Sequence, residues 1–189
     1  AVTDAPDQWG SFCRLSAVVF GRSIMYLGLN TFIVLYFMNH FHESQNFSNL
    51  LLSVYYGIGA LFTLIGGKLG DKHGYRTFVR FGFLLAFPTA FILAWTDSSI
   101  LGILCLIVLG AALNLTYSPM VVLGQQYLPN RVGLASGITL GLAVSVGGIT
   151  APLLGKVGDM YGLETTFYVI ALITLIPLIS SFTLPKPKK

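Results

Sequence analysis

Long apolar runs separated by short polar breaks make up almost the whole of this chain. Each run is about 20 residues or longer, which is the length a helix needs to cross the hydrocarbon core of a bilayer. The runs have almost no charged face, so none of them offers a side to water. The pattern predicts an all-α membrane protein whose six transmembrane helices cover residues 13–39, 49–67, 78–95, 99–123, 133–156 and 165–184.

Composition supports the membrane assignment. Hydrophobic residues make up 54% of the 189 residues and charged residues only 10%, whereas soluble domains carry about 25% charged residues. The alternative is a soluble all-helical protein with a large core, but six apolar runs without a polar face argue against it.

The basic residues gather on one side of the predicted bundle, which indicates its orientation. Cytoplasmic loops of membrane proteins carry an excess of Lys and Arg, so both termini are predicted to be cytoplasmic. The net charge of +4 is therefore interpreted as a topology signal, and no nucleic-acid partner is expected. The residues on that side are Arg14, Lys68, Lys72, Arg76, Arg80, Arg131, Lys186, Lys188 and Lys189.

A short motif occurs twice. The sequence GKLGDKHG at 67–74 returns as GKVGDMYG at 155–162, with Gly, Lys and Asp at matching positions. Three predicted spans lie between the copies, so the copies are expected on opposite faces of the membrane. This indicates two inverted three-helix repeats, at 13–95 and 99–184, an arrangement typical of secondary transporters. Coincidence stays open as an alternative, because Gly, Lys and Asp are common in loops.

The segment from Gly67 to Arg76 resembles the signature loop between the second and third helices of each half of the major facilitator superfamily. It departs from the usual pattern at Tyr75, where a basic residue is common. The run QQYLPNRVGLASG, from Gln125 to Gly137, is most similar to the fosmidomycin resistance protein group of drug efflux transporters, as are LGLAVSVGG and APLLGKVGDMYG after it.

This resemblance covers nearly the whole chain but matches only the C-terminal half of such a transporter. It implies an N-terminal six-helix half as the missing partner, with residues 1–12 as the end of a cytoplasmic linker and residues 185–189 as a basic cytoplasmic tail. It further implies proton-driven efflux of a small anionic drug by alternating access, in the bacterial inner membrane and without a cofactor. The alternative is a self-assembling six-helix homodimer in the bilayer with a structural or passive-channel role.

The resemblance also implies that the glycine-rich loop latches the cytoplasmic side in one conformational state. Its Asp71 carboxylate is expected to face the positive N-terminal end of the fifth span. A static turn that carries topology charges is the alternative. The predicted gating residues of this loop are Gly67, Gly70, Asp71, Gly74 and Arg76.

One ionisable residue lies deep in a predicted span. Arg22 follows Arg14 by eight residues, about 12 Å along a helix at 1.5 Å per residue. Tyr26 and Asn30 follow at i+4 and i+8 and share its helix face. A stripe with a cation, a phenol and an amide suits a substrate with a phosphonate or carboxylate group. Alternatively, Arg22 pairs structurally with a carboxylate of the absent half.

The fourth span contains a polar run of its own. Asn114, Tyr117 and Ser118 lie near one face just before Pro119, whose missing N–H leaves a carbonyl free one turn earlier. Such a break is tolerated within a membrane beside protein or water. We therefore predict that these three side chains line a cavity with Arg22, and ordinary interhelical hydrogen bonding is the alternative.

Small residues recur in the fifth span at Gly133, Gly137 and Gly141. A ridge at four-residue spacing allows two helix backbones to approach closely. It predicts a packing surface that a rocking helix can also use.

Other chemistry has little support in the sequence. His40 and His42 have no evident third ligand for a metal, and no nucleophile–base pair, P-loop or dinucleotide motif points to an enzyme. No Asp, Glu or His lies inside the predicted spans, so the acid that couples transport to protons is expected in the N-terminal half.

Overall fold

Within the described part of the chain, six helices are long and apolar enough to cross a membrane. The computed structural model describes residues 4–188; the ends of the predicted linker and tail, 1–3 and Lys189, lie outside the described residues. The predicted all-helical fold with six spans is confirmed. The spans run Trp9–Asn39, Gln45–His73, Tyr75–Trp95, Ser99–Tyr127, Val132–Tyr161 and Leu163–Phe182.

Three of the spans are interrupted. The fourth breaks at Thr116, the sixth breaks at Thr174, and the fifth contains a π-helical turn over Gly137–Leu142. The helices are α1 (Trp9–Asn39), α2 (Gln45–His73), α3 (Tyr75–Trp95), α4 (Ser99–Leu115), α5 (Tyr117–Tyr127), α6 (Val132–Ser136), α7 (Ala143–Tyr161), α8 (Leu163–Ile173) and α9 (Leu175–Phe182).

The predicted end of the second span at residue 67 is wrong, because α2 continues through the charged segment to His73. A single glycine, Gly74, makes the turn, with φ of 95° and its N–H bonded to the Gly70 carbonyl at 2.9 Å. Only glycine adopts that backbone conformation without strain. The glycine-rich motif is therefore a helix end rather than an open loop.

The second copy of the motif ends its helix in the same way. Gly162 has φ of 96°, and its N–H bonds to the Gly158 carbonyl at 2.8 Å. The two turns lie at opposite ends of the bundle, since Arg76 contacts the end of α9 whereas Glu164 contacts the end of α1. The inverted repeat itself stays a prediction.

Three arginines hold the C-terminal end of α9, whose last carbonyls have no partner within the helix. Arg14 donates to the Thr183 carbonyl at 3.1 Å, and Arg76 donates to the Leu184 carbonyl at 3.2 Å. Arg80 donates to three of these carbonyls, those of Ser181, Phe182 and Leu184. The N-terminal end of α1 and the C-terminal end of α9 thus lie at the same end of the bundle.

The predicted contact of Asp71 with the fifth span is absent. Within residues 4–188, α2 makes no contact with any part of that span. The Asp71 carboxylate instead accepts a hydrogen bond from the Tyr75 hydroxyl. This local pair uses the residue that stands where the family pattern has a basic side chain.

The predicted glycine ridge does not pack against any other described part of this chain. A Cβ at Gly133, Gly137 or Gly141 would have no heavy atom within 4 Å among the described residues. Close packing of the fifth span occurs at Gly147 instead, where a Cβ would lie 2.8 Å from the Ser23 carbonyl oxygen. Four-residue spacing identifies a helix face but not what that face contacts, so the packing role of the ridge stays a prediction.

The neighbouring glycines Gly147 and Gly148 allow a direct test of this packing. Alanine in place of either residue raises helix propensity by about 1 kcal/mol, but only Gly147→Ala inserts a methyl group against α1. Overpacking costs about 1–3 kcal/mol, so we expect Gly147→Ala to unfold at a temperature at least about 2 °C lower than Gly148→Ala. Thermal unfolding followed by tryptophan fluorescence in detergent measures the difference, and equal unfolding temperatures would contradict the packing.

Candidate functional site

A buried arginine lies at the centre of the candidate site. The Arg22 side chain in α1 is only 7% exposed. Its guanidinium carbon lies 5.0 Å from the ring centroid of Tyr26 and 4.9 Å from that of Tyr117. Both distances fit a cation–π interaction, so the cation is held between two aromatic rings from different spans.

The break in the fourth span gives Arg22 its hydrogen-bond acceptor. The Leu113 carbonyl accepts from Arg22 Nε at 2.8 Å and from the Thr116 hydroxyl at 2.8 Å. Pro119, which has no N–H, follows within the next turn. The backbone interruption therefore supplies the polar atom that orients the guanidinium group.

Arg22 has no acidic partner in the part of the chain that the structure describes. Across residues 4–188, which include all seven Asp and Glu residues, no carboxylate lies within ion-pair distance of it. An arginine has five N–H donors, and in this range only its Nε makes a hydrogen bond. The charge and the remaining donors are thus available to a ligand.

The guanidinium group borders a cavity of about 290 Å³. Four of the residues predicted for a substrate site line this cavity together: Arg22, Tyr26, Asn114 and Tyr117. The other lining residues are mainly apolar and come from the first, second, fourth and fifth spans, including the π-helical turn of the fifth. Whether this cavity binds the substrate stays a prediction.

Two predicted site residues lie outside the cavity lining. Ser118 donates to the Thr63 carbonyl at 3.3 Å, so its hydroxyl joins the second and fourth spans. Asn30 lies one turn beyond Tyr26, and its buried Oδ1 has no hydrogen-bond partner among the described residues. The cavity extends along α1 to Leu27 and no further.

Asn114 reaches its position because the facing helix has no side chain there. A Cβ at Gly59 would lie 2.7 Å from Asn114 Nδ2. The amide donates to the Gly110 carbonyl at 2.8 Å, and its oxygen accepts from the Thr63 hydroxyl at 3.4 Å. These contacts orient the side chain before any ligand arrives.

Three hydroxyl residues of the lining were missed by the sequence prediction: Ser23, Thr63 and Thr139. Ser23 donates to the Ala143 carbonyl, which lies directly after the π-helical turn. Thr139 lies within that turn and donates to the Ala135 carbonyl. Ser23 directly follows Arg22 in sequence, which was the only available signal, because isolated hydroxyls in a span commonly bond their own helix.

The site combines a fixed cation, two phenols and an amide within a mainly apolar cavity. This donor set suits a small anion, because a guanidinium group binds a carboxylate or phosphonate through two parallel hydrogen bonds. The described residues contain no group of three or more His, Cys, Asp or Glu side chains that would hold a metal.

Comparison with known proteins identifies the family. A sequence model described as Major Facilitator Superfamily matches residues 15–189. The chain belongs to this superfamily. It is 32% identical over 162 residues to an uncharacterized transporter of the superfamily, YfnC of Bacillus subtilis (strain 168), and 30% identical over 169 residues to the fosmidomycin resistance protein of Escherichia coli (strain K12). These relatives are transporters rather than enzymes.

The matches involve only part of each relative. They cover 85% and 89% of this chain but 39% and 41% of the two relatives. A crystal structure of the peptide transporter POT aligns with a TM-score of 0.84 at 18% identity, over 91% of this chain and 37% of that chain. The transporter FucP in its outward conformation aligns at 0.83 and 17%, over 93% and 42%. These structures support the superfamily fold.

Replacement of Arg22 separates a binding role from a structural one. We expect Arg22→Met to raise the unfolding temperature by about 2 °C or more, because an apolar side chain removes an unpaired buried charge. The Leu113 carbonyl keeps the Thr116 hydroxyl as its partner. Thermal unfolding in detergent measures the effect.

Arg80→Met is the matched control for that experiment. Arg80 also bonds backbone carbonyls, but it makes three such bonds at the end of α9. Its removal is expected to lower the unfolding temperature. A comparable loss in Arg22→Met would contradict the view that Arg22 is held for a ligand.

Proposed function

We propose that the chain is the C-terminal half of a secondary transporter that exports a small anionic compound by alternating access. The single observation that carries this proposal is the buried Arg22, which borders a cavity and lacks a carboxylate partner within residues 4–188. A membrane-embedded charge is costly and is usually retained for function. Membership of the superfamily indicates a transport activity, and the buried cation indicates an anionic substrate.

The similarity to the fosmidomycin resistance protein supports a drug of the phosphonate type as a substrate. A phosphonate offers oxygens to the Arg22 donors that make no hydrogen bond among the described residues, and the guanidinium carbon lies 5.0 Å from the ring of Tyr26 and 4.9 Å from that of Tyr117. Asn114 adds an amide on the same cavity wall. Proton-driven antiport, the inner-membrane location and cytoplasmic termini belong to the same proposal, supported by this relative and by the basic side of the bundle.

A second six-helix unit is the proposed partner. In the most apolar window of the second and fifth spans only 22% of residues are buried, compared with 39–56% in the other spans. The open ridge of Gly133, Gly137 and Gly141 lies on the fifth span. The chain spans about two fifths of the length of its relatives. We therefore propose that the second and fifth spans contact an N-terminal half.

The proposed gate lies at the end of the bundle that holds both described chain ends. A Cβ at Gly70 would lie 3.3 Å from the Pro119 ring of α5, so Gly70 allows close packing there, whereas a Cβ at Gly67 would make only ordinary contact with Ser118 at 3.6 Å. Gly74 turns the chain into α3. Arg76 bonds the end of α9, and Asp71 bonds Tyr75. These contacts are short-range and reversible, which suits a latch that opens as the two halves rock.

Substitution of Arg22 in the complete transporter tests the substrate site. We expect Arg22→Gln to weaken substrate binding by about 30-fold or more, because it removes the cation from the buried pair that Arg22 forms with the proposed anionic substrate. Arg22→Lys retains the charge but loses the paired donors and should give an intermediate effect. The measurement is resistance to fosmidomycin in a sensitive bacterial strain, with the amount of protein in the membrane checked by immunoblot.

Arg131→Gln is the matched control, because Arg131 is an exposed loop cation that pairs with Asp7 at 3.5 Å. It should leave resistance unchanged. Normal resistance in Arg22→Gln at normal expression would remove Arg22 from the site and with it the main support for an anionic substrate.

The proposed interface with the partner half gives a separate prediction. Gly137→Leu should not lower the thermal stability of this chain, since a Cβ there would have no heavy atom within 4 Å among the described residues. In the complete transporter the same change should reduce export, because it separates the two halves. Gly10→Leu, another open position at the start of α1, should affect neither measurement.

The alternative function, a homodimer with a structural or passive-channel role, predicts a stable dimer of this chain alone. Light scattering after size-exclusion chromatography in detergent measures its mass. Full export by Gly137→Leu together with a specific dimer of the isolated chain would favour this alternative over the proposed half-transporter.

A further inference from the structure

A polar cluster surrounds His40 at the end of the bundle opposite the chain ends. His40 directly follows α1, and its side chain is 7% exposed. The imidazole stacks on the ring of Tyr36, with centroids 4.8 Å apart and planes 9° from parallel. Tyr36 is itself fully buried and donates its hydroxyl hydrogen to the Leu93 carbonyl at 2.7 Å. The stacking thus fixes the plane of the His40 ring.

Both nitrogens of that ring face hydrogen-bond acceptors. Nδ1 lies 2.6 Å from Oε1 of Glu164, in the first turn of α8. Nε2 lies 2.7 Å from the carbonyl oxygen of Thr96, in the turn between α3 and α4. A backbone carbonyl can only accept, and an ionised carboxylate can only accept.

A neutral imidazole has one N–H and one bare nitrogen. With either tautomer and an ionised Glu164, one ring nitrogen would direct its lone pair at an oxygen lone pair at hydrogen-bond distance. One additional proton removes this conflict, whether it resides on Nδ1 or on Glu164. We propose that His40, Glu164 and the Thr96 carbonyl form a proton-binding site that fastens the end of the first span to the start of the sixth.

The charged groups around the ring fit a bound proton. Tyr36 of α1, which is neutral, stacks on the ring. Asp97, in the turn between α3 and α4, has its Oδ1 3.5 Å from Nε2. Glu164 of α8 lies on the Nδ1 side. Glu43 bonds the Ser99 hydroxyl close by. In the described part of the chain no Lys or Arg lies within ion-pair distance of Asp97 or Glu164. The protonated ring is therefore their only positive partner in that range.

The site joins three elements, so its proton affects how they are held together. The contact needs the additional proton, so it stabilises the fold while that proton is bound and is lost once the proton leaves at higher pH. Imidazole is the side chain that ordinarily changes charge near neutral pH. This inference does not depend on the proposed transport function, since it follows from the contacts of His40 alone.

Glu164→Gln provides a sharp test, because glutamine supplies both a donor and an acceptor. Its amide donates to a bare Nδ1 while Nε2–H donates to Thr96, so the contact persists without the extra proton. The unfolding temperature of each complete protein is measured in detergent at pH 6 and at pH 8.5. We expect it to fall by about 2–4 °C more in the wild type than in Glu164→Gln over this range. His42→Gln, which removes the neighbouring exposed histidine, should behave as wild type.

Imidazole nitrogen NMR of the complete protein observes the proton directly. His40→Gln identifies the His40 signals by their loss. At pH 6 the wild-type ring, or the hydrogen bond to Glu164, should retain the second proton, whereas the ring of Glu164→Gln should hold a single proton at pH 7. The proposal would be overturned if the wild-type ring held a single proton beside an ionised Glu164 at pH 6. It would also be overturned if unfolding of the wild type and of Glu164→Gln had the same pH dependence.

Discussion

The absence of water from the bilayer core is the constraint on which this structure depends. Every polar group at that depth needs a partner from the protein itself. Where the fourth span breaks, the Leu113 carbonyl finds Arg22 and Thr116. Where the sixth span breaks, the Thr174 hydroxyl bonds the Ile170 carbonyl at 3.2 Å and the sulfur of Met25 at 3.3 Å. The candidate site lies at the first of these breaks, because the Leu113 carbonyl left free there orients the buried Arg22.

The sequence was most informative where a residue type is costly in a membrane. Six apolar runs predicted six spans, and the one cation deep within the first run was Arg22. Helical spacing then led to Tyr26, because i and i+4 share a face. The same spacing also selected Asn30, which lies outside the lining. Periodicity indicates the face of a helix but not the depth at which neighbouring helices close the cavity.

Other features could not be predicted because they depend on tertiary contacts. Ser23, Thr63 and Thr139 are ordinary hydroxyl residues until their helices meet around the cavity. The glycine-rich charged segment resembled a loop, yet the helix continues because its backbone groups bond one another up to Gly74. The cluster at His40 joins residues from the first span, the turn at Thr96 and the sixth span, and no short motif connects them.

The arginines at the end of α9 have a consequence for the order of assembly. Arg76 and Arg80 bind carbonyls that lie more than 100 residues further along the chain, and Arg14 binds one 169 residues further along. During synthesis these guanidinium groups therefore have no carbonyl partners until the sixth span has left the ribosome. Until then, water or lipid phosphates must satisfy their charges. Closure of this end of the bundle is a late event in biogenesis, and a nascent chain that stalls before Ser181 would present three unbound cations at the membrane surface.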